Sequence, residues 1–221
     1  MTRERTYAVL TGDIVASRKL APETLRALQE RLQSAVEAFE AVFPGTVLGR
    51  VGVTRGDGWQ AVAQRPERAL RLALYLRAVV KAEFSADTRV AIGVGSVERL
   101  EPNNVVASVG EAFERSGHGL DALPARRRLA IIGPAGEAYW RVIAGLLDAL
   151  VTRWSERQAF VAGHSLLNRT QEEIARCSPP NPATGKKPTR QAVAKVQQRI
   201  DWKTVEETVR FFEATLKGCD Y

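Results

Sequence analysis

The chain of 221 residues is 45% apolar, enough for a sizeable core in one large domain or a medium domain with a small one. It contains no run of about 18 apolar residues, which argues against a membrane span, and Met1 to Thr6 leads straight into a strand without the apolar stretch of a signal peptide, so a cytoplasmic protein is expected. Cys177 and Cys219 with His118 and His164 fit neither a disulfide framework nor a zinc site, and the net charge of +7 asks where the cations lie.

Tyr7 to Leu10 reads as a buried strand that runs into Thr11-Gly12-Asp13-Ile14-Val15-Ala16-Ser17-Arg18-Lys19. A carboxylate at the carboxyl end of a strand is well placed for ligand chemistry, although Gly-Asp also suits a simple turn. Pro22 then opens a helix with Leu25, Leu28, Leu32, Val36 and Phe39 at helical spacing, stopped by Phe43-Pro44-Gly45. Val47 to Thr54 and Trp59 to Ala63 flank Gly56-Asp57-Gly58, a hairpin signal with an acidic tip. Such a hairpin beside the first strand brings Asp57 towards Asp13, with no obvious lysine partner. Two converging carboxylates suit Mg2+ or Mn2+, which take oxygen ligands and substrate phosphates.

Pro66-Glu67 starts a second amphipathic helix through Leu70, Leu72, Leu74, Leu76, Val79 and Val80. Val90, Ile92 and Val94 mark a strand, residues 107 to 123 a third helix, and Arg128 to Ile132 a last strand. The order is β-α-β-β-α-β-α-β. Ser116-Gly117-His118-Gly119 is read as an interruption of the third helix with no catalytic role for His118. Trp59 reads as core or cross-strand packing rather than a base-stacking platform.

This order, with its acidic first strand and acidic hairpin tip, resembles the palm-like domain of nucleotidyl cyclases and diguanylate cyclases. The GDIVASR and GDGWQ motifs are more specifically similar to the SatD family of small bacterial proteins, over roughly residues 6 to 133. The resemblance implies an α+β, ferredoxin-like domain binding a nucleoside triphosphate or cyclic nucleotide. Asp13, Asp57 and the carbonyl of Ile14 would hold Mg2+ or Mn2+. Gly12, Arg18, Lys19, Arg55, Gly56 and Gly58 would surround the nucleotide, although each of the three cations equally suits solvent. The chain departs from both families. Glu114 and His118 stand where class III cyclases carry an Asn and an Arg, and TRGDGWQ lacks the second acid of the diguanylate cyclase hairpin. No catalytic residue is assigned, and whether the chain is an enzyme stays open.

Beyond residue 136 the pattern is all helical. Glu137 to Trp154 forms a long amphipathic helix, Ser155 is an N-cap, and Thr170 with Glu173 has the spacing of a capping box. Thr189 to Ile200 buries Ala192, Val193, Val196 and Ile200 and exposes Arg190, Gln191, Lys195, Gln198 and Arg199, and Trp202 to Leu216 closes the chain. Residues 176–203 hold seven cations, with Lys186 and Lys187 among them, against the single acid Asp201, a focus that suits a polyanion or a plain solvated face. TQEEIA and TRQAVAKVQQRI resemble a helix-turn-helix of the sigma region-four or LuxR type, although residues 178 to 188 replace the usual short turn. By that resemblance Arg190, Gln191, Lys195, Gln198, Arg199, Lys186 and Lys187 contact double-stranded DNA.

The expectation is a palm-like domain over 1–136 and a helix-turn-helix domain over 137–221. Together they form a DNA-binding transcriptional regulator that senses a nucleotide with divalent metal, expected as a homodimer and without a membrane. The alternatives are an active cyclase or nucleotidyltransferase using two metals, and a protein-interaction module with a degenerate site.

Overall fold

The structure, a computed structural model, describes residues 5–54, 56–181 and 183–218. Its strands are β1 (Tyr7–Ile14), β2 (Val47–Val53), β3 (Gly58–Ala63), β4 (Thr88–Gly95) and β5 (Leu129–Ile132). Its helices are α1 (Pro22–Val42), α2 (Ala69–Phe84), α3 (Glu111–Asp121), α4 (Glu137–Thr152), α5 (Glu156–Leu166), α6 (Gln171–Cys177), α7 (Arg190–Arg199) and α8 (Trp202–Lys217). The chain is thus α+β, with one mixed sheet in the order β2-β3-β1-β4-β5. All pairings are antiparallel except β4 with β5.

Period-two alternation gives β1 two kinds of neighbour. Ala8, Leu10 and Ile14 join the large core with α1 and α2, whereas Val9 packs with Val62, Ala112 and Phe113 under α3. That helix lies unusually close to the sheet, because a Cβ at Gly93 would come within 2.3 Å of the Ala112 carbonyl. It also runs unbroken through Gly117-His118-Gly119. The expected interruption is therefore corrected. Gly119 is needed for contact with β5, where a Cβ would meet Ile132 at 2.3 Å, and the exposed His118 turns outward from a continuous helix.

A second correction concerns α2. The sequence predicts an amphipathic helix, yet every residue from Ala69 to Val80 is buried. A helix that is covered all round must be packed on several sides, and α2 is enclosed by the sheet and α1 together with α5 and α8. Trp140, Leu147, Val151, Ala162, Leu166, Val209 and Phe212 consequently share one apolar core with Leu10, Leu28 and Ile92. A smaller cluster of Val161, Ile174, Ala175, Val193 and Val196 binds α5, α6 and α7 together. Among the described residues no helix is long and apolar enough to cross a membrane.

Candidate functional site

Asp13 is the last residue but one of β1 and lies opposite Gly58 of β3 and Arg89 of β4. Alternation puts its side chain on the face of Val9 and Thr11, the side that α3 covers further along the sheet. Arg89 donates from Nε to Asp13 Oδ1 at 2.8 Å and from Nη2 to Oδ2, a two-point ion pair. Asp57, half-buried, occupies the hairpin tip next to Gly58, so the fold brings both carboxylates to one end of the sheet. The charges of Asp57 and Asp121 also reach Arg89. Its pKa is raised above the ordinary value, first by the hydrogen bond to Asp13 and then by the charges of Asp13, Asp57 and Asp121, against burial. A cationic partner for Asp13 therefore exists where the sequence offered no obvious one. Arg89 is the lone charge in the run Thr88 to Gly95, and that was its only signal.

The backbone here is held tightly. Trp59 Nε1 donates to Thr88 Oγ1 at 2.9 Å, and Thr88 Oγ1 donates to the Asp13 carbonyl at 2.6 Å. Trp59 is thus a core residue, 1% exposed. A Cβ at Gly12 would come within 2.5 Å of its ring and 2.6 Å of the Arg89 carbonyl, so close packing alone requires that glycine, whereas one at Gly58 would meet only the Thr54 hydroxyl, at 1.9 Å. Gly56 is exposed with φ at +77°, and its carbonyl accepts from Gln29 Nε2 at 3.0 Å, which ties the tip to α1. After β1, Ala16 adopts a left-handed φ of 55° and a single 3-10 turn follows, Ser17–Lys19, on which Arg18 and Lys19 are exposed. Arg55 lies outside the described residues. Glu114 and His118 are exposed one helical turn apart on α3.

The donors Asp13, Asp57 and the Ile14 carbonyl are hard oxygens of the kind that Mg2+ or Mn2+ takes. They suit one such ion on a condition: Asp13 must exchange Arg89 for it. Among the described residues no group of three or more His, Cys, Asp or Glu side chains is placed to hold a metal.

A second candidate is basic. Ser155 and Thr170 cap α5 and α6 with reciprocal side-chain bonds, and Thr189 Oγ1 accepts from Ala192 N to start α7. Helix α7 buries Val193 and Val196 against α5 and α6 and exposes Arg190, Gln191, Lys195, Gln198 and Arg199. Lys186 and Lys187 are exposed just ahead of it, and Lys187 Nζ donates to the Arg176 carbonyl at 2.6 Å. The ion pairs found nearby are Arg176 with Glu172 and Arg210 with Glu206, and among the described residues no carboxylate pairs with any of the five cations from Lys186 to Arg199.

No family model matches the chain, and no curated protein matches its sequence. Two solved structures, each of a bacterial light-regulated adenylyl cyclase, are similar to it. One is 17% identical with a TM-score of 0.42 over 57% of this chain and 42% of that one. The other is 20% identical with a TM-score of 0.43 over 61% of this chain and 44% of that one. The chain spans less than half the length of either.

Proposed function

We propose that the chain is a double-stranded DNA-binding regulator whose helical part, 137–221, docks α7 on the duplex and whose sheet part, 1–136, is a palm-type, ferredoxin-like nucleotide site. The observation that carries the first half is the exposed face of α7. Arg190, Lys195 and Arg199 stand on a helix braced from behind by α5 and α6, and among the described residues no carboxylate pairs with them. Guanidinium and amide groups spread over such an exposed face suit base edges in a major groove, and lysines suit phosphates. The loop from Ser178 to Pro188 adds Lys186 and Lys187 beside the helix.

The test is duplex binding by fluorescence anisotropy against salt. Each phosphate contact contributes a slope of about −0.9 in log K against log salt. Removing Arg190, Lys195 and Arg199 together should flatten the slope by roughly two to three such contacts and weaken binding at least tenfold. A slope unchanged by the triple variant would sink the reading.

The second half is favoured by the meeting of Asp13, Asp57 and Arg89 at one sheet end. Asp13, Asp57 and the Ile14 carbonyl would hold Mg2+ or Mn2+, which would offset phosphate charge there. Arg89, once released by Asp13, and the exposed Arg18 and Lys19 would face the phosphates. Turnover is not part of the proposal, because Glu114 and His118 are acidic and weakly basic groups where a cyclase places neutral and cationic donors. Calorimetry with ATP and GTP in Mg2+ or Mn2+ should show binding that Asp57→Asn abolishes. Metal-independent binding, or none, would remove the nucleotide half and leave the DNA half standing.

A further inference from the structure

The stretch that replaces the short turn of a helix-turn-helix, residues 178 to 188, has a structural consequence. Its described residues turn back on one another, since Asn181 N donates to the Lys186 carbonyl at 2.9 Å and Gly185 N to the Asn181 carbonyl at 2.8 Å. Ser178 Oγ anchors its first end on the Ile174 carbonyl at 2.6 Å. Between this loop, α5 and α7 lies a cavity of about 460 Å³. Its floor is apolar: Val161, Val193 and Val196 line it and are nearly buried. Its loop wall is built from Pro179, Pro180 and Pro188, which have no N–H to offer and little freedom to collapse inwards. Phe160 and Ala82 complete the apolar lining.

The polar groups at the cavity are unequal in sign. Arg157, Lys186 and Lys187 line it and are exposed, so they form its rim. Among the described residues the lone acid there, Glu156, already accepts from Ser85 Oγ at 2.5 Å. A concave apolar site of 300 to 1,000 Å³, very roughly, with a few convergent polar groups is the usual form of a small-molecule pocket. We propose that this cavity binds a small organic anion, with a flat apolar body against the valines and Phe160 and a carboxylate, sulfonate or phosphate at the cationic rim. It is formed by the insertion itself, and its floor is shared with the valines that seat α7. The proposal goes beyond DNA binding and does not depend on it.

The probe is 1-anilinonaphthalene-8-sulfonate, an aromatic anion of suitable size, titrated against the full chain by fluorescence and by calorimetry. One saturable site is expected. Ala82→Phe, which fills the lining, and the pair Lys186→Gln with Lys187→Gln, which strips the rim, should each weaken binding at least tenfold while the circular dichroism spectrum stays native. Arg190→Ala with Arg199→Ala, which addresses the DNA reading, should leave probe binding unchanged. The chain also carries an apolar groove between α4 and α8 around Leu146. Binding lost in Leu146→Glu but kept in Ala82→Phe would assign the probe to that groove and overturn the proposal. Unsaturable binding, or none, would overturn it as well.

Discussion

At the scale of single residues, polar groups are placed where their neighbours decide their charge. His164 is half-buried beneath Phe160, and its pKa is lowered to about 4 by burial first and then by the charges of Arg169 and Arg31. The unfolded chain therefore binds a proton there that the folded chain rejects, so stability present above the ordinary value of 6.5 is lost as pH falls from 6.5 towards 4. Because the ring is only partly buried, the loss by pH 5 is about 1 kcal/mol rather than the full linkage value. Urea midpoints at pH 7 and pH 5 should drop further in the native chain than in His164→Gln, and equal drops would exclude the effect. Ala16 offers the opposite case, a strained residue. Its left-handed φ of 55° costs a Cβ-bearing residue about 1 kcal/mol, so Ala16→Gly should raise the unfolding free energy from urea titration by up to that amount. No gain would mean that the β1 to α1 turn relaxes without it.

At the scale of elements, the sequence was most legible where local chemistry fixes a boundary. Thr170 is the clearest example: its Oγ1 accepts from Glu173 N at 3.3 Å while Glu173 Oε2 accepts from Thr170 N at 2.7 Å, the reciprocal box that the spacing announced. Helix α6 is only seven residues long and has few other means of satisfying its first N–H groups. Thr170→Ala should therefore cost about 1 kcal/mol and lower the melting temperature by a few degrees. It should also weaken duplex binding, because α6 supports α7. An unshifted melting curve would show that tertiary packing alone holds α6. The Asp-Gly hairpin, the Pro22 helix start and the exposed face of α7 were legible for the same reason. Less legible was whatever depends on a distant partner. The leucines of α2, at steps of two, spread over two sides of the helix with Arg71 and Arg77 between them, and the acids that pair with those arginines, Glu213 of α8 and Asp148 of α4, lie far along the chain. Arg89 escaped notice alike, because its partner Asp13 is 76 residues away and only strand register brings them together.

At the scale of the whole molecule, those same arginines bind the sheet to the helices. Arg77 is fully buried and donates to Asp87 from Nε at 3.0 Å and from Nη2 at 2.8 Å, and to Asp148 of α4 from Nη1 at 2.9 Å. Asp148 in turn accepts from Arg128 N at 2.8 Å, at the threshold of β5. One polar node thus joins α2, α4 and the sheet, and Arg71 with Glu213 repeats the arrangement between α2 and α8 at 2.6 Å. Buried ions are costly to strand, so removing one partner typically destabilises by about 3–5 kcal/mol, more than any exposed pair contributes. Arg77→Leu would leave Asp87 and Asp148 without their guanidinium and should lower the melting temperature by roughly 10 °C or more. Because the apolar core also runs uninterrupted from Leu10 through α2 to Phe212, the loss cannot be confined to one part. Hydrogen exchange read by mass spectrometry should show β1, α2, α5 and α8 opening together in both chains, only sooner in Arg77→Leu. Separate opening of 1–136 and 137–221 would mean that the node joins two independent cores. Concerted opening would make α2 the element through which a ligand at either part must be felt at the other.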